Sequence, residues 1–240
     1  MNAGPLADVA AKIAAEAPYT GGPLSDFESV GRDGFIVLLE NGLRPDHMLL
    51  DFGCGALRLG YWSARFLASD RYCGIEPERA MLAPGLEYAL GADVIQAKQP
   101  RFSDNSDCDM SVFGVKFDYV VARSILTHAT PAMLREILRQ FAENSNDGAL
   151  FLASYWDKGD PFPPEAEDGD VLPLADWRFI PFVKYSLETL EHWASEVGLS
   201  VERGTERPKI NSQTWLRFAR PTPTSGRRTD SSHWSLRGHE

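Results

Sequence analysis

The sequence predicts an α/β fold: a doubly wound, mostly parallel sheet with helices on both faces and a helical cap at the N-terminus. Three observations predict it. Residues 48–60, MLLDFGCGALRLG, run an apolar segment into an acid and then a glycine turn. Residues 71–77, RYCGIEP, repeat the apolar run and end it in a second acid, Glu76. Downstream, apolar runs alternate with segments of helical period, the order that builds a sheet covered by helices.

From the N-terminus, residues 5–16 place Leu6, Val9, Ala10 and Ile13 on one stripe of an alanine-rich helix. Gly21, Gly22 and Pro23 break it. Asp26 is placed to cap a second helix through about Glu40, which Asn41 and Gly42 end. Met48, Leu49, Leu50 and Phe52 have the continuous apolar character of a buried strand, and Gly53, Cys54 and Gly55 turn it towards a helix. Later, Thr130 and Pro131 form a cap and first-turn pair, with Leu134, Ile137, Leu138 and Phe141 at i, i+3, i+4 and i+7. Ser186 caps a further helix whose inner side is Leu187, Leu190, Trp193, Ala194 and Val197, and Gly198 ends it. The expected organisation is a helical segment over 1–24, one domain over 25–220 with an insert or substrate loop at 155–185, and a flexible tail at 221–240 that lacks periodicity.

The glycine turn narrows the ligand. Glycine tolerates backbone angles denied to other residues, and without a Cβ it lets a ligand approach the peptide planes. A dinucleotide fingerprint needs G-x-G-x-x-G or A, and Arg58 stands at its last position. Asp51 argues against a dinucleotide independently, because a carboxylate beside the turn repels a pyrophosphate and attracts a cationic cofactor. Glu76 lies 23 positions after Gly53, where an acid of a nucleotide-binding α/β unit commonly takes a ribose. Its two oxygens suit two parallel hydrogen bonds. Its plain alternative is a solvated carboxylate at a strand end.

These residues resemble the class I S-adenosylmethionine-dependent methyltransferases, whose first strand ends in an acid, whose glycine loop passes the cofactor and whose second strand ends in an acid for the ribose. Residues 116–128, KFDYVVARSILTH, look like that family's fourth strand and the loop behind it. Residues 148–155, GALFLASY, look like its fifth, residues 185–203 are similar to its late helix and sixth strand, and 213–220 to its seventh. The resemblance spans roughly residues 25–220 and implies a seven-stranded Rossmann-like sheet. It departs from the family at Leu57, where a third glycine is usual.

The resemblance implies S-adenosyl-L-methionine as cofactor, held by Asp51, Phe52, Gly53, Cys54, Gly55, Arg58, Glu76, Pro77, Asp104, Asn105 and Arg123, with no metal. For the adenine, Asp104, Asn105 and Asp107 compete with the reading of an ordinary polar loop. His128 is the candidate general base, since it follows the fourth strand and exchanges protons near neutral pH. Its alternative is a packing or capping role. His192, His233 and His239 fall on a helix or the tail. The insert carries Tyr155, Trp156, Phe162, Trp177, Phe179, Phe182 and Tyr185 among six acids between Asp157 and Asp170, and it either lines an acceptor pocket or is a solvated surface with its aromatics turned to the core.

Composition limits the partners. The chain has 240 residues, 43% hydrophobic and 24% charged, with a formal charge of −10. That charge disfavours a nucleic acid, whose phosphates need neutralising cations. Cys54, Cys73 and Cys108 lack metal-ligand spacing and read as reduced packing residues of a cytoplasmic protein. No signal peptide is expected near Met1, and no stretch approaches a membrane span. The expected activity is methyl transfer to oxygen or nitrogen of a small-molecule acceptor. A dinucleotide-dependent oxidoreductase and a methyltransferase-like protein acting on a protein partner are the competing readings.

Overall fold

In a computed structural model, residues 6–17, 24–157, 171–172, 182–204 and 213–222 are described. Its centre is a seven-stranded sheet built from β1 (Leu49–Phe52), β2 (Tyr72–Ile75), β3 (Arg101–Ser103), β4 (Phe117–Ala122), β5 (Ser145–Tyr155), β8 (Ser200–Arg203) and β9 (Thr214–Ala219). The spatial order is β3-β2-β1-β4-β5-β9-β8. The first five pair in parallel, and β9 runs antiparallel to both of its neighbours. A separate two-stranded pair, β6 (Val171–Leu172) and β7 (Phe182–Val183), is antiparallel. Strand order reverses beside β1 and β4, so the crevice at their carboxyl ends is the natural ligand position.

Strand alternation divides the core between two faces. Leu50, Phe52, Val120 and Phe151 pack with Leu134, Ile137 and Phe141 of α6 (Pro131–Asn144) and with Leu190 and Ala194 of α7 (Leu187–Glu196). On the opposite face, Leu49, Val121 and Leu152 meet Ala10 and Ile13 of α1 (Ala7–Glu16), Phe27 and Leu38 of α2 (Phe27–Glu40), and Ala64 of α3 (Gly60–Phe66). Each fully buried leucine or phenylalanine here is worth about 1.5–3 kcal/mol. The two N-terminal helices therefore belong to the same core as the sheet.

The caps divide. Thr130 accepts from the Met133 amide and Ser186 from the Thr189 amide, as their spacing predicts. Asp26 occupies the cap position of α2 without a side-chain bond to the helix, because a 3-10 turn, Leu24–Asp26, leads directly into it. The Ser25 hydroxyl donates to the Asp26 carboxylate instead.

Residues 79–98, not predicted as an element, form a succession of helical segments, α4 (Arg79–Pro84), a π-helical segment (Gly85–Leu90) and α5 (Gly91–Lys98), with the helical backbone broken at Gly91, φ 75° and ψ 161°. The end of the insert returns along the sheet edge. The Val183 amide donates to Thr127 O and the Tyr185 amide to Trp156 O. Tyr155, Trp156 and Tyr185 are buried, so these aromatics serve the core. Phe162, Trp177, Phe179, the Phe182 side chain, His233, His239 and nearly all of the predicted tail lie outside the described residues. All three cysteines are free and buried. Among the described residues, no helix is long and apolar enough to cross a membrane.

Candidate active site

The two acids predicted from the sequence stand at the carboxyl ends of adjacent strands. Asp51 pairs in register with Gly74, and Glu76 directly follows β2. Both are buried. Tyr72 Oη donates to Asp51 Oδ2 at 2.7 Å. Burial pushes the Asp51 carboxyl up to about 7; the Tyr72 bond opposes that rise and the nearby Glu76 charge adds to it. Glu76 receives the Gly55 amide on Oε2 and the Glu78 amide on Oε1, both at 2.9 Å. Burial also raises Glu76, against the pull of those two amides. A carboxylate offers about four acceptor positions, so each Glu76 oxygen keeps one for a ligand.

The glycine turn is held to this pair. The Gly53 and Cys54 amides both donate to Ile75 O, joining the turn to the end of β2. Gly53 and Gly55 have φ of 74° and 52°. At the position of the missing third glycine, Leu57 takes φ 61°, a conformation costing an L-residue on the order of 1–2 kcal/mol. Its fully buried side chain offsets that cost. Gly60 makes the room: a Cβ there would stand 2.7 Å from Tyr72 Oη and 2.9 Å from Leu57 Cδ2. Two other glycines press neighbouring elements onto the same segment. A Cβ on Gly85 would meet the Ala56 backbone at 2.7 Å, and one on Gly31 would meet Arg58 O at 2.2 Å.

The remaining candidates fall on both sides of this centre. Pro77 is exposed just beyond Glu76, and Phe52 is buried at the end of β1. Asp104 is exposed and ion-paired with Arg79. Asn105 braces its own loop, its Nδ2 donating to Ser103 Oγ and Asp109 O and its Oδ1 accepting from the Asp109 amide. Arg58 is buried with its guanidinium 5.2 Å from the Phe27 ring centre. Arg123, immediately after β4, feels the Arg58 charge, with Asp33 and Asp26 of the α2 region acting in the opposite sense. His128 is half-buried one turn further on, its amide on Ile125 O and its ring edge-on to Trp156 at 6.2 Å. The structure thus gathers the two acids and the glycines at β1 and β2, Arg123 after β4 within electrostatic reach of Arg58, and His128 towards β5.

Sequence reasoning, which places Ala122 to Ser124 at the ligand edge, missed Ser154 and Gln213, which hydrogen-bond with Ser124 at the ends of β4, β5 and β9. It also missed Lys184, fully buried between the residues that bond Thr127 and Trp156. No local pattern marks a polar residue whose partners are 30 to 89 positions away.

Residues 50–151 match the family model of a methyltransferase domain. No curated protein sequence matches the chain. Among solved structures, the chain is similar to magnesium protoporphyrin IX methyltransferase (ChlM) from Synechocystis PCC 6803 with bound SAM, at 14% identity over 91% of this chain and 92% of that one, with a TM-score of 0.61. It is similar to the CcbJ methyltransferase from Streptomyces caelestis at 17% identity, 86% and 100% coverage and a TM-score of 0.62. A DhpI–SAH complex matches at 18% identity, 90% and 96% coverage and a TM-score of 0.58. At these identities the likeness is one of fold.

Proposed function

We infer that this chain, whose residues 50–151 match the family model of a methyltransferase domain and whose fold is similar to that of solved methyltransferases, is an enzyme that transfers a methyl group from S-adenosylmethionine to oxygen or nitrogen of a small-molecule acceptor. The observation that carries this reading is the pair of buried acids flanking the glycine turn, Asp51 and Glu76, at the ends of β1 and β2. Glu76 has acceptor positions left for the ribose hydroxyls. Asp51 supplies negative charge where a cofactor bearing an ammonium and a sulfonium gains from it. Gly53 and Gly55, with Phe52, Cys54 and Pro77 around them, keep the turn low against the ligand. Arg123, with Arg58 in electrostatic reach of it, is the cation assigned to the methionine carboxylate. Asp104 and Asn105 border the adenine end, Asn105 by holding its loop in shape.

Bound S-adenosylmethionine supplies a methyl already activated by the sulfonium, so the chain's task is to hold the acceptor in line and near contact. A base is required only for an acceptor that must lose a proton. His128 stands beside Trp156 at the carboxyl ends of β4 and β5 and takes that role. His128→Gln is expected to lower kcat by about 10²-fold or more with little change in cofactor affinity, measured by steady-state kinetics beside calorimetry. An unchanged kcat would leave His128 as a packing residue.

The antiparallel β9 between β5 and β8 differs from the 3-2-1-4-5-6 order of dinucleotide folds and weighs against an oxidoreductase. Calorimetric titration with S-adenosylmethionine, S-adenosylhomocysteine and NAD tests the reading, and the expected result is binding of the first two and no heat from NAD. Binding of NAD alone would sink it. A labelled-methyl screen over small metabolites and proteins then separates a small-molecule acceptor from a protein one.

A further inference from the structure

We propose that Gln213, Ser154 and Ser124 are positioning residues that aim the Arg123 guanidinium at the carboxylate of the cofactor's methionine, an inference that rests on the methyltransferase reading above. Three strand ends meet here: Ser124 follows β4, Ser154 is the penultimate residue of β5, and Gln213 directly precedes β9. Ser154 Oγ donates to Gln213 Oε1 at 2.6 Å and accepts the Ser124 amide at 2.8 Å. Ser124 Oγ donates to Gln213 Oε1 at 3.1 Å, accepts Gln213 Nε2 at 2.9 Å and accepts Arg123 Nη1 at 3.0 Å.

A hydroxyl has one proton and two lone pairs, so these three bonds exhaust Ser124 and fix the direction from which Arg123 Nη1 approaches. Ser154 and Gln213 are both buried, which keeps water from competing for the same bonds. Ser124 also carries φ 60°, a strained backbone for an L-residue that persists only where its surroundings over-determine it. The Thr127 hydroxyl donating to Ser124 O at 2.7 Å adds a further restraint.

The side chain so fixed keeps a buried donor unspent. Among the described residues, Arg123 Nε is buried with no hydrogen-bond partner. Burial and the Arg58 charge lower the guanidinium to about 10, while Asp33 and Asp26 oppose the shift. A buried arginine donor at the edge of a ligand crevice is satisfied by a carboxylate, which takes guanidinium donors in a planar, two-pronged geometry. The position suits the cofactor's carboxylate. Glu76 marks the ribose at the end of β2, and β4 lies two strands away, about 10 Å at normal strand spacing. An aminocarboxypropyl chain leaving the ribose across the glycine turn therefore heads towards Arg123.

The test compares S-adenosylmethionine with its decarboxylated analogue, which lacks only the anchoring group. Calorimetry on the wild-type chain is expected to show a preference of about 50-fold for the carboxylate-bearing ligand, the scale of a charge-assisted contact. Gln213→Leu and Ser154→Ala should each lower S-adenosylmethionine affinity about ten-fold and leave the analogue's affinity within about two-fold. If Gln213→Leu does not fold, Ser154→Ala reads the same ratio. Equal losses for both ligands, or a preference intact in both variants, would overturn the proposal. Failure of the wild-type chain to bind either ligand would instead overturn the methyltransferase reading.

Discussion

Replacing Asp51 by asparagine is expected to weaken S-adenosylmethionine binding by about 100-fold at pH 8 and to flatten its dependence on pH. A unit charge about 6 Å from the cofactor's cationic end, at an effective dielectric of about 20, is worth about 3 kcal/mol, or two decades in affinity. The pH profile follows from the burial that pushes the Asp51 carboxyl up to about 7. Below that value the group is largely protonated, and binding a cation expels the proton. Wild-type affinity should therefore rise by about ten-fold per pH unit towards pH 7 and level off above it.

The stability of the cofactor-free chain moves the other way. An Asp51 carboxyl raised above its unfolded value, about 3.9, binds a proton more tightly when folded. Its contribution is full below about pH 4 and is lost as the pH rises through about 7. Asp51→Asn carries no such loss, so at pH 8 its melting temperature should equal or exceed that of the wild type. Titration between pH 5.5 and 8.5 beside thermal melts separates a weakened site from an unfolded chain. Wild-type affinity in the variant would show that Asp51 does not act on the cofactor.

The central strands, α6, α7 and the acid pair were legible because each leaves a local trace: an apolar run, a period of 3.6, a capping hydroxyl, or an acid after a strand. The helical succession over residues 79–98 leaves less. Its α5 has no fully buried residue and sets only Val94 and Ile95 partly against the core, and its π segment departs from the helical period. Leu57 reads as an ordinary leucine, since a positive φ is set by the turn around it. Its tolerance depends on Gly60, three residues later, and on where the Tyr72 hydroxyl comes to rest. The Ser124–Ser154–Gln213 group is a tertiary product, assembled only when β9 inserts beside β5. Asp26 shows the converse: a good capping residue is displaced from that role when the preceding turn already continues into the helix.

Gly31→Ala is expected to destabilise the chain by about 2–3 kcal/mol and to lower its melting temperature by roughly 5–10 °C. The methyl would lie 2.2 Å from Arg58 O and 2.9 Å from its carbonyl carbon. Both are backbone atoms, so no rotamer change relieves the overlap, and α2 must lift from the segment between the glycine turn and α3. That movement reaches the ligand edge, because Phe27 of the same helix covers the Arg58 guanidinium and Asp33 acts on Arg123. S-adenosylmethionine affinity should fall along with stability. Gly34, one turn later, supplies the control. A methyl there would meet Leu59 Cδ1 at 2.7 Å, the end of a side chain that can turn away, and a better helix former replaces a glycine. Gly34→Ala should change stability by less than about 1 kcal/mol. Thermal melts of the two variants, with cofactor titration on each, decide the matter. Equal small effects would mean that α2 is not held against the turn by the absence of a side chain at Gly31. A large loss confined to Gly31→Ala would identify that close approach as the contact by which an N-terminal helix sets the shape of the cofactor loop.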